Sequence, residues 1–259
     1  MKMSRGPYPY HLNHQVQYES KSFKGLKSEK SNMGFAEYYR AFPTYTDINS
    51  QEYRDRLENL EPLLMKYMKR RGKVLDLACG VGGFSFLLED YGFEVVGLDI
   101  SEEMISKAKM YAKEKSSNVE FIIGDAKKLP FEDNNFDYVI FIDSLVHFSP
   151  LELNQVFKEV KRVLKPTGKF IIYFTDMREL LPRLRESLVV GEKYWINKII
   201  PDQEEKTVVI EFKSEENSFR VRFNVWGKTG VELLAKLYFN KEAQEKVGNY
   251  SYFIVYTPK

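Results

Sequence analysis

The sequence predicts an α/β fold, doubly wound around a mainly parallel sheet, and three features carry that expectation. Short β-branched or aromatic runs alternate with helical patterns from residue 73 to residue 174. The first of these runs passes into a glycine-rich turn that opens a helix. The first two runs also place an acid, Asp76 and then Asp99, at or near their C-terminal ends. Strands joined by right-handed helical crossovers must run parallel, so the alternation dictates the sheet.

The elements follow in order. Ser50 to Met68 sets Leu57, Leu60, Leu63, Leu64 and Met68 on one helical stripe, which ends in Lys69-Arg70-Arg71-Gly72. Strands are expected near 73–78, 94–99, 119–123, 137–142 and 169–174, with helices near 83–90, 102–115 and 151–164 between them. Ser101 before Glu102-Glu103 supplies a capping side chain and an acidic first turn. Beyond residue 175 the pattern predicts a helix near 177–189, then strands over 206–212 and 219–226 joined by the turn Ser214-Glu215-Glu216-Asn217. A helix over 230–246 and an aromatic strand over 250–256 complete the chain. No repeat or low-complexity linker interrupts it. The expected organisation is a basic aromatic arm over 1–34 and one domain over 35–259: a helical lid (35–72), a core (73–174) and a final region of helices and antiparallel strands (175–259).

Composition narrows the function classes. At 259 residues, 43% hydrophobic and 29% charged, the chain reads as an ordinary globular protein. Its apolar runs are strand-sized, short of the roughly 18 residues of a membrane helix, and the N-terminus lacks the apolar core of a signal peptide. A cytoplasmic protein with no membrane span is expected. A single cysteine, Cys79, and three histidines argue against disulfides, thiolate zinc and metal ligation generally. A net charge of +2 is no nucleic-acid footprint. Residues 1–30, however, hold Lys2, Arg5, Lys21, Lys24, Lys27 and Lys30 against Glu19 and Glu29, interleaved with Tyr8, Tyr10, Tyr18 and Phe23. Such an arm suits either nucleic acid or the cover of a pocket.

The chemistry lies in two segments. In Val74-Leu75-Asp76-Leu77-Ala78-Cys79-Gly80-Val81-Gly82-Gly83-Phe84, a buried strand runs into glycines and then a helix whose N-terminal amides face the crevice. In Val95-Val96-Gly97-Leu98-Asp99-Ile100-Ser101, a strand ends in an acid nineteen residues after Gly80. A carboxylate there can accept both hydroxyls of a ribose. Nucleoside binding is the favoured reading. A dinucleotide fingerprint would need its third glycine at position 85, which is Ser85.

The spacing Asp76-x-x-x-Gly80-x-Gly82 resembles the first motif of class I S-adenosylmethionine-dependent methyltransferases. Four more segments are similar to that family in the same order: Gly97-Leu98-Asp99-Ile100-Ser101, Gly124-Asp125-Ala126-x-x-Leu129-Pro130-Phe131, Phe136-Asp137-Tyr138-Val139-Ile140 and Arg162-Val163-Leu164-Lys165-Pro166-x-Gly168-Lys169. The resemblance implies a Rossmann-like, seven-stranded sheet with helices on both faces and antiparallel C-terminal strands. It implies S-adenosylmethionine as cofactor and S-adenosylhomocysteine as product. Asp76 would organise the glycine loop near the cofactor's amino group, and the Cys79, Gly80 and Gly82 backbone would line its methionine part. Asp99 would hold the ribose, Ile100 and Met104 the adenine faces, and Asp125 with the Ala126 amide the adenine edge. Asp143 and Ser144 would reach the methionine end, and Tyr39 and Arg40 would belong to a segment that closes over it.

His147 is the candidate general base, if the acceptor must lose a proton. A histidine that merely shapes the pocket is the alternative. Asp143-Ser144-Leu145-Val146 departs from the motif of exocyclic-amine methyltransferases, and no Pro-Cys pair suits attack on a pyrimidine. The general resemblance is to enzymes of small acceptors such as quinones and sterols. An RNA methyltransferase using the arm, a nicotinamide oxidoreductase and a cofactor-binding protein without catalysis stand as alternatives.

Overall fold

The protein was analysed as a computed structural model, which describes residues 38, 39, 41, 45–185, 188–190 and 194–259. The arm, residues 35–37, Arg40 and residues 42–44 lie outside the described residues, as do 186, 187 and 191–193. Helix α1 (Gln51–Tyr67) starts at Ser50, whose hydroxyl accepts the Tyr53 N–H at 3.2 Å, and it buries Tyr53, Arg56, Leu60 and Leu64. There follow β1 (Lys73–Leu77), α2 (Gly83–Asp90), β2 (Glu94–Asp99), α3 (Glu102–Lys115), β3 (Glu120–Ile123), β4 (Phe136–Ile142), a 3₁₀ turn over Leu145–His147, α4 (Pro150–Val163) and β5 (Leu164–Thr175). Ser149 and Glu152 form a reciprocal capping box at the start of α4, where Pro150 fits because its missing N–H would have no helical partner.

β1 pairs in parallel with β2 and β4, β2 with β3, and β4 with β5. The chain ends with α5 (Met177–Leu180), β6 (Val189–Val190), β7 (Tyr194–Asp202), β8 (Thr207–Lys213), β9 (Ser218–Asn224), α6 (Lys228–Ala235), β10 (Phe239–Val247) and β11 (Ser251–Pro258). The main sheet has seven strands in the order β10-β11-β5-β4-β1-β2-β3, with β11 antiparallel to both neighbours. Successive side chains along a strand face opposite sides of the sheet, so each strand feeds two cores. Val74, Tyr138 and Ile140 join Leu60, Phe84 and Ile105 of α1, α2 and α3 on one side. Leu75, Leu77, Val139 and Phe141 join Val156, Phe157, Val160 and Val231 of α4 and α6 on the other. The strand order reverses between β1 and β4, which opens a crevice at their carboxyl ends.

Two expected helices are corrected. The helix expected over 177–189 is one turn, α5, followed by a 3₁₀ turn over Leu181–Arg183, because Pro182 cannot continue an α-helix and the chain then enters β6. The helix expected over 230–246 ends at Ala235, and Phe239–Val247 is the edge strand β10. Its sequence, Phe239-Asn240-Lys241-Glu242-Ala243-Gln244-Glu245-Lys246-Val247, is rich in helix formers, but pairing with β11 overrides that weak preference. Lysine and glutamate on this outer strand also guard an open edge. Strand β7 was not anticipated. With β6, β8 and β9 it forms a separate four-stranded antiparallel sheet whose inner side chains make a third core with Met177, Leu180 and Leu184.

Candidate functional site

The crevice is built from the turn after β1. Ala78 and Gly80 both hold φ of 56°, in the left-handed region, and Gly82 holds 85°. A Cβ on Gly82 would collide with the Phe121 ring, and one on Gly97 would lie 2.6 Å from it, so both glycines let Phe121 pack under the turn. A Cβ on Gly80 would meet nothing within 4 Å, because that face of the turn opens onto the crevice. The Tyr53 hydroxyl, brought in by α1, accepts the Gly83 N–H at 3.1 Å and fixes the start of α2.

Asp99 closes the turn from the end of β2. Its Oδ2 accepts the Gly80 N–H at 2.9 Å and its Oδ1 the Ser101 N–H at 2.8 Å, so one carboxylate ties two loops together. Asp76 is buried, and its Oδ2 accepts the Ser85 hydroxyl at 2.6 Å. Burial pushes the Asp76 carboxyl up to about 7, against the lowering effect of the Ser85 hydrogen bond. Burial also raises Asp99, against the amides that it accepts. Ser85, which breaks the dinucleotide pattern, thus serves the acid that replaces it.

A third carboxylate, Asp143, follows β4 with φ of 54° and receives Arg56 Nε at 2.9 Å. Arg56 is itself buried, with its guanidinium 5.0 Å from the Tyr45 ring centroid and 5.5 Å from those of Tyr53 and Phe84. Burial raises Asp143 while Arg56 pulls it down. Ala78 and Asp143 are non-glycine residues in a disfavoured conformation at the ends of the two strands that flank the crevice, a placement typical of strained functional loops.

The remaining expected residues differ in exposure and partners. Ile100 is 64% exposed and Ile123, at the end of β3, is 54% exposed, whereas Met104 and Ala126 are buried. Asp125 accepts the Lys127 N–H at 2.9 Å and lies 3.8 Å from its ammonium. The loop that carries Asp125 is clamped by α4: Arg162 donates to the carbonyls of Leu129 and Phe131, and Glu159 accepts the Leu129 N–H at 2.9 Å. Ser144 donates inward to the Ile142 carbonyl at 2.9 Å. Burial holds the Cys79 thiol well above its ordinary value, so it is a neutral lining group near pH 7.

A family described as a methyltransferase domain matches residues 74–168, the stretch that contains all three carboxylates and the glycine turn. The chain is 43% identical over 104 residues to a sterol 24-C-methyltransferase of Gibberella zeae, which covers 39% of this chain and 27% of that protein. It is 44% identical over 120 residues to a demethylmenaquinone methyltransferase of Lactococcus lactis, which covers 43% of this chain and 47% of that protein. The chain thus spans about a quarter to a half of the length of these relatives. The crystal structure of the PH0226 protein from Pyrococcus horikoshii is 84% identical, with a TM-score of 0.82 over 86% of this chain and 99% of that one. Residues 74–168 thus match a methyltransferase domain, and the sheet built on them has the fold of S-adenosylmethionine-dependent methyltransferases.

The matched domain is a methyltransferase domain, which favours S-adenosylmethionine over a nicotinamide for this crevice. Among the described residues no helix is long and apolar enough to cross a membrane. Beside the crevice lies a cavity of about 110 Å³ between the loop after β4 and the four-stranded sheet. Asp143 and His147 line it, and Leu145, Met177, Leu180, Ile196, Ile210 and Phe212 give it an apolar wall. The second sheet anchors this loop directly: Asn224 Nδ2 donates to the Val146 carbonyl at 3.0 Å and Trp226 Nε1 to the Phe148 carbonyl at 2.9 Å. Tyr39 also lines the cavity, with its hydroxyl 2.6 Å from His147 Nε2. Burial lowers His147 to about 4, so its imidazole is neutral near pH 7. Arg56, Tyr53 and Ser85 were missed from the sequence. Only Arg56 left a signal there, as a cation on the helical line of Tyr53, Leu60 and Leu64.

Proposed function

We propose that this methyltransferase transfers a methyl group to a small, largely apolar acceptor held in the cavity beside the crevice. The observation that carries the reading is the cavity itself, which is walled by aliphatic and aromatic side chains and meets the crevice at Asp143. Pockets of that kind orient small molecules through a few polar groups at one end. The activities for which the sterol and demethylmenaquinone relatives are named point the same way. The RNA alternative rests on the arm, outside the described residues.

The crevice fits the cofactor. Gly80 leaves room for close approach, Asp99 has remaining acceptor capacity for ribose hydroxyls, and Ile100 offers an open apolar face to a base. Asp76, Asp143 and Ser144 border the region assigned to the charged methionine end, and Met104, Asp125 and Ala126 the region assigned to adenine. Bound there, S-adenosylmethionine supplies an activated sulfonium methyl. The chain's own contribution is alignment and exclusion of water, which can supply roughly 7–11 kcal/mol. Incubation with methyl-labelled S-adenosylmethionine and, separately, a small-metabolite filtrate or purified RNA tests the reading. Label in the small organic fraction is expected. Label in RNA alone would overturn it.

A further inference from the structure

Tyr39 is placed in this cavity as a guest would be. Its ring meets Tyr38 edge-on at 5.8 Å and Tyr45 at 5.9 Å, and its centroid lies 5.9 Å from that of His147. Its hydroxyl reaches His147 Nε2 at 2.6 Å, and Asp143 lines the same cavity. We propose that Tyr39 occupies the acceptor's place, and that the acceptor is a small phenol whose hydroxyl replaces that of Tyr39 on His147. The proposal rests on the reading of the cavity as the acceptor site.

Size, lining and acidity all favour a phenol. The remaining cavity of about 110 Å³ is somewhat smaller than the roughly 150 Å³ that accommodates benzene, and turning the Tyr39 side chain aside opens the difference. The rings of Tyr38 and Tyr45 already meet the Tyr39 phenol, and Phe212 and Phe223 pack on Tyr38 and line the same cavity, so the site suits a second ring of that shape. A protonated amine would leave its charge against an apolar wall. Neutral His147 presents a lone pair at Nε2 when Tyr39 donates, and it is a weak base, so it takes a proton as charge leaves the acceptor oxygen rather than beforehand. A phenol, with an ordinary pKa near that of tyrosine at about 10, meets that limit far better than an aliphatic alcohol. In the transfer, the phenolic oxygen forms its bond to the methyl carbon as the carbon–sulfur bond breaks. The electron pair returns to sulfur, which leaves the thioether neutral. The phenolic proton passes to His147 Nε2 and then to water as the aryl methyl ether departs.

The experiment measures methyl transfer to phenol, aniline and cyclohexanol by wild type, Tyr39→Phe and His147→Gln, with thermal unfolding in S-adenosylmethionine run on the same samples. Phenol should be the preferred acceptor. Tyr39→Phe should lower KM for phenol about fivefold, because the competing hydrogen bond is gone. His147→Gln should lower kcat at least about a hundredfold, in the range typical of a general base. Retained stabilisation by S-adenosylmethionine without transfer to phenol, preference for aniline or cyclohexanol, or a raised KM in Tyr39→Phe would each overturn the phenol assignment. Loss of stabilisation in wild type would instead overturn the underlying reading of the crevice.

Discussion

Replacing Asp76 by asparagine should make the protein's stability less dependent on pH, by an amount that follows from burial. The carboxyl moves from an ordinary 3.8 in the unfolded chain to about 7 in the folded one. At about 1.36 kcal/mol per pH unit, that displacement is about 4 kcal/mol. Below about pH 4 both states hold the proton, and between 4 and 7 only the folded state does. The Asp76 contribution to stability is therefore fully present at low pH, declines as pH rises through that window, and is absent above it. His147 acts oppositely: burial lowers it from 6.5 to about 4, so its unfolded form binds the extra proton and its contribution grows as pH rises. The wild-type profile is flattened by this opposition, but the difference between Asp76→Asn and wild type cancels it. Guanidinium unfolding at pH 5, 7 and 8.5 without cofactor should show that difference moving in favour of the variant by about 2 kcal/mol between pH 5 and 7, then levelling. A difference constant to within about 0.5 kcal/mol across the range would refute the buried, protonated acid.

Three further outcomes follow from the same site. Gly80→Ala places a left-handed alanine in open space and should cost about 1 kcal/mol of stability while obstructing the cofactor. Gly82→Ala, which drives a methyl into Phe121, should cost at least twice that; equal losses in denaturant unfolding would contradict the geometry. Arg56→Ala strips the partner from buried Asp143 and should destabilise by about 3–5 kcal/mol, so a loss under about 1 kcal/mol would show that the pair is not buried as described. With an acceptor in hand, kcat/KM should be free of a His147 transition near pH 6.5, because the neutral imidazole persists down to about 4; a steep loss centred at 6.5 would place His147 in water.

The sheet and the crevice were legible because their signals are local. A strand with Asp76 next to its end, glycines at 80 and 82 and an acid at 99 each answer a short-range requirement of backbone or ligand. Residues that act by packing from elsewhere were not. Tyr53 holds the Gly83 amide from a helix thirty positions earlier, and Ser85 looks like a broken glycine motif until Asp76 is seen behind it. The four-stranded sheet was half visible as the hairpin of β8 and β9, whereas β10 reads as helix because its strand character comes from pairing with β11. Tyr39 was expected over the cofactor; its hydrogen bond to His147 depends on the second sheet closing the cavity, which no sequence spacing records.

The most direct measurement is calorimetric titration of wild type and Asp99→Ala with S-adenosylmethionine and with NAD. Wild type should bind S-adenosylmethionine and not NAD, and Asp99→Ala should weaken the affinity by about 10- to 150-fold, through lost charge-assisted hydrogen bonds worth roughly 1.5–3 kcal/mol. Unchanged affinity in Asp99→Ala, or binding of NAD in place of S-adenosylmethionine, would contradict the crevice as the cofactor site.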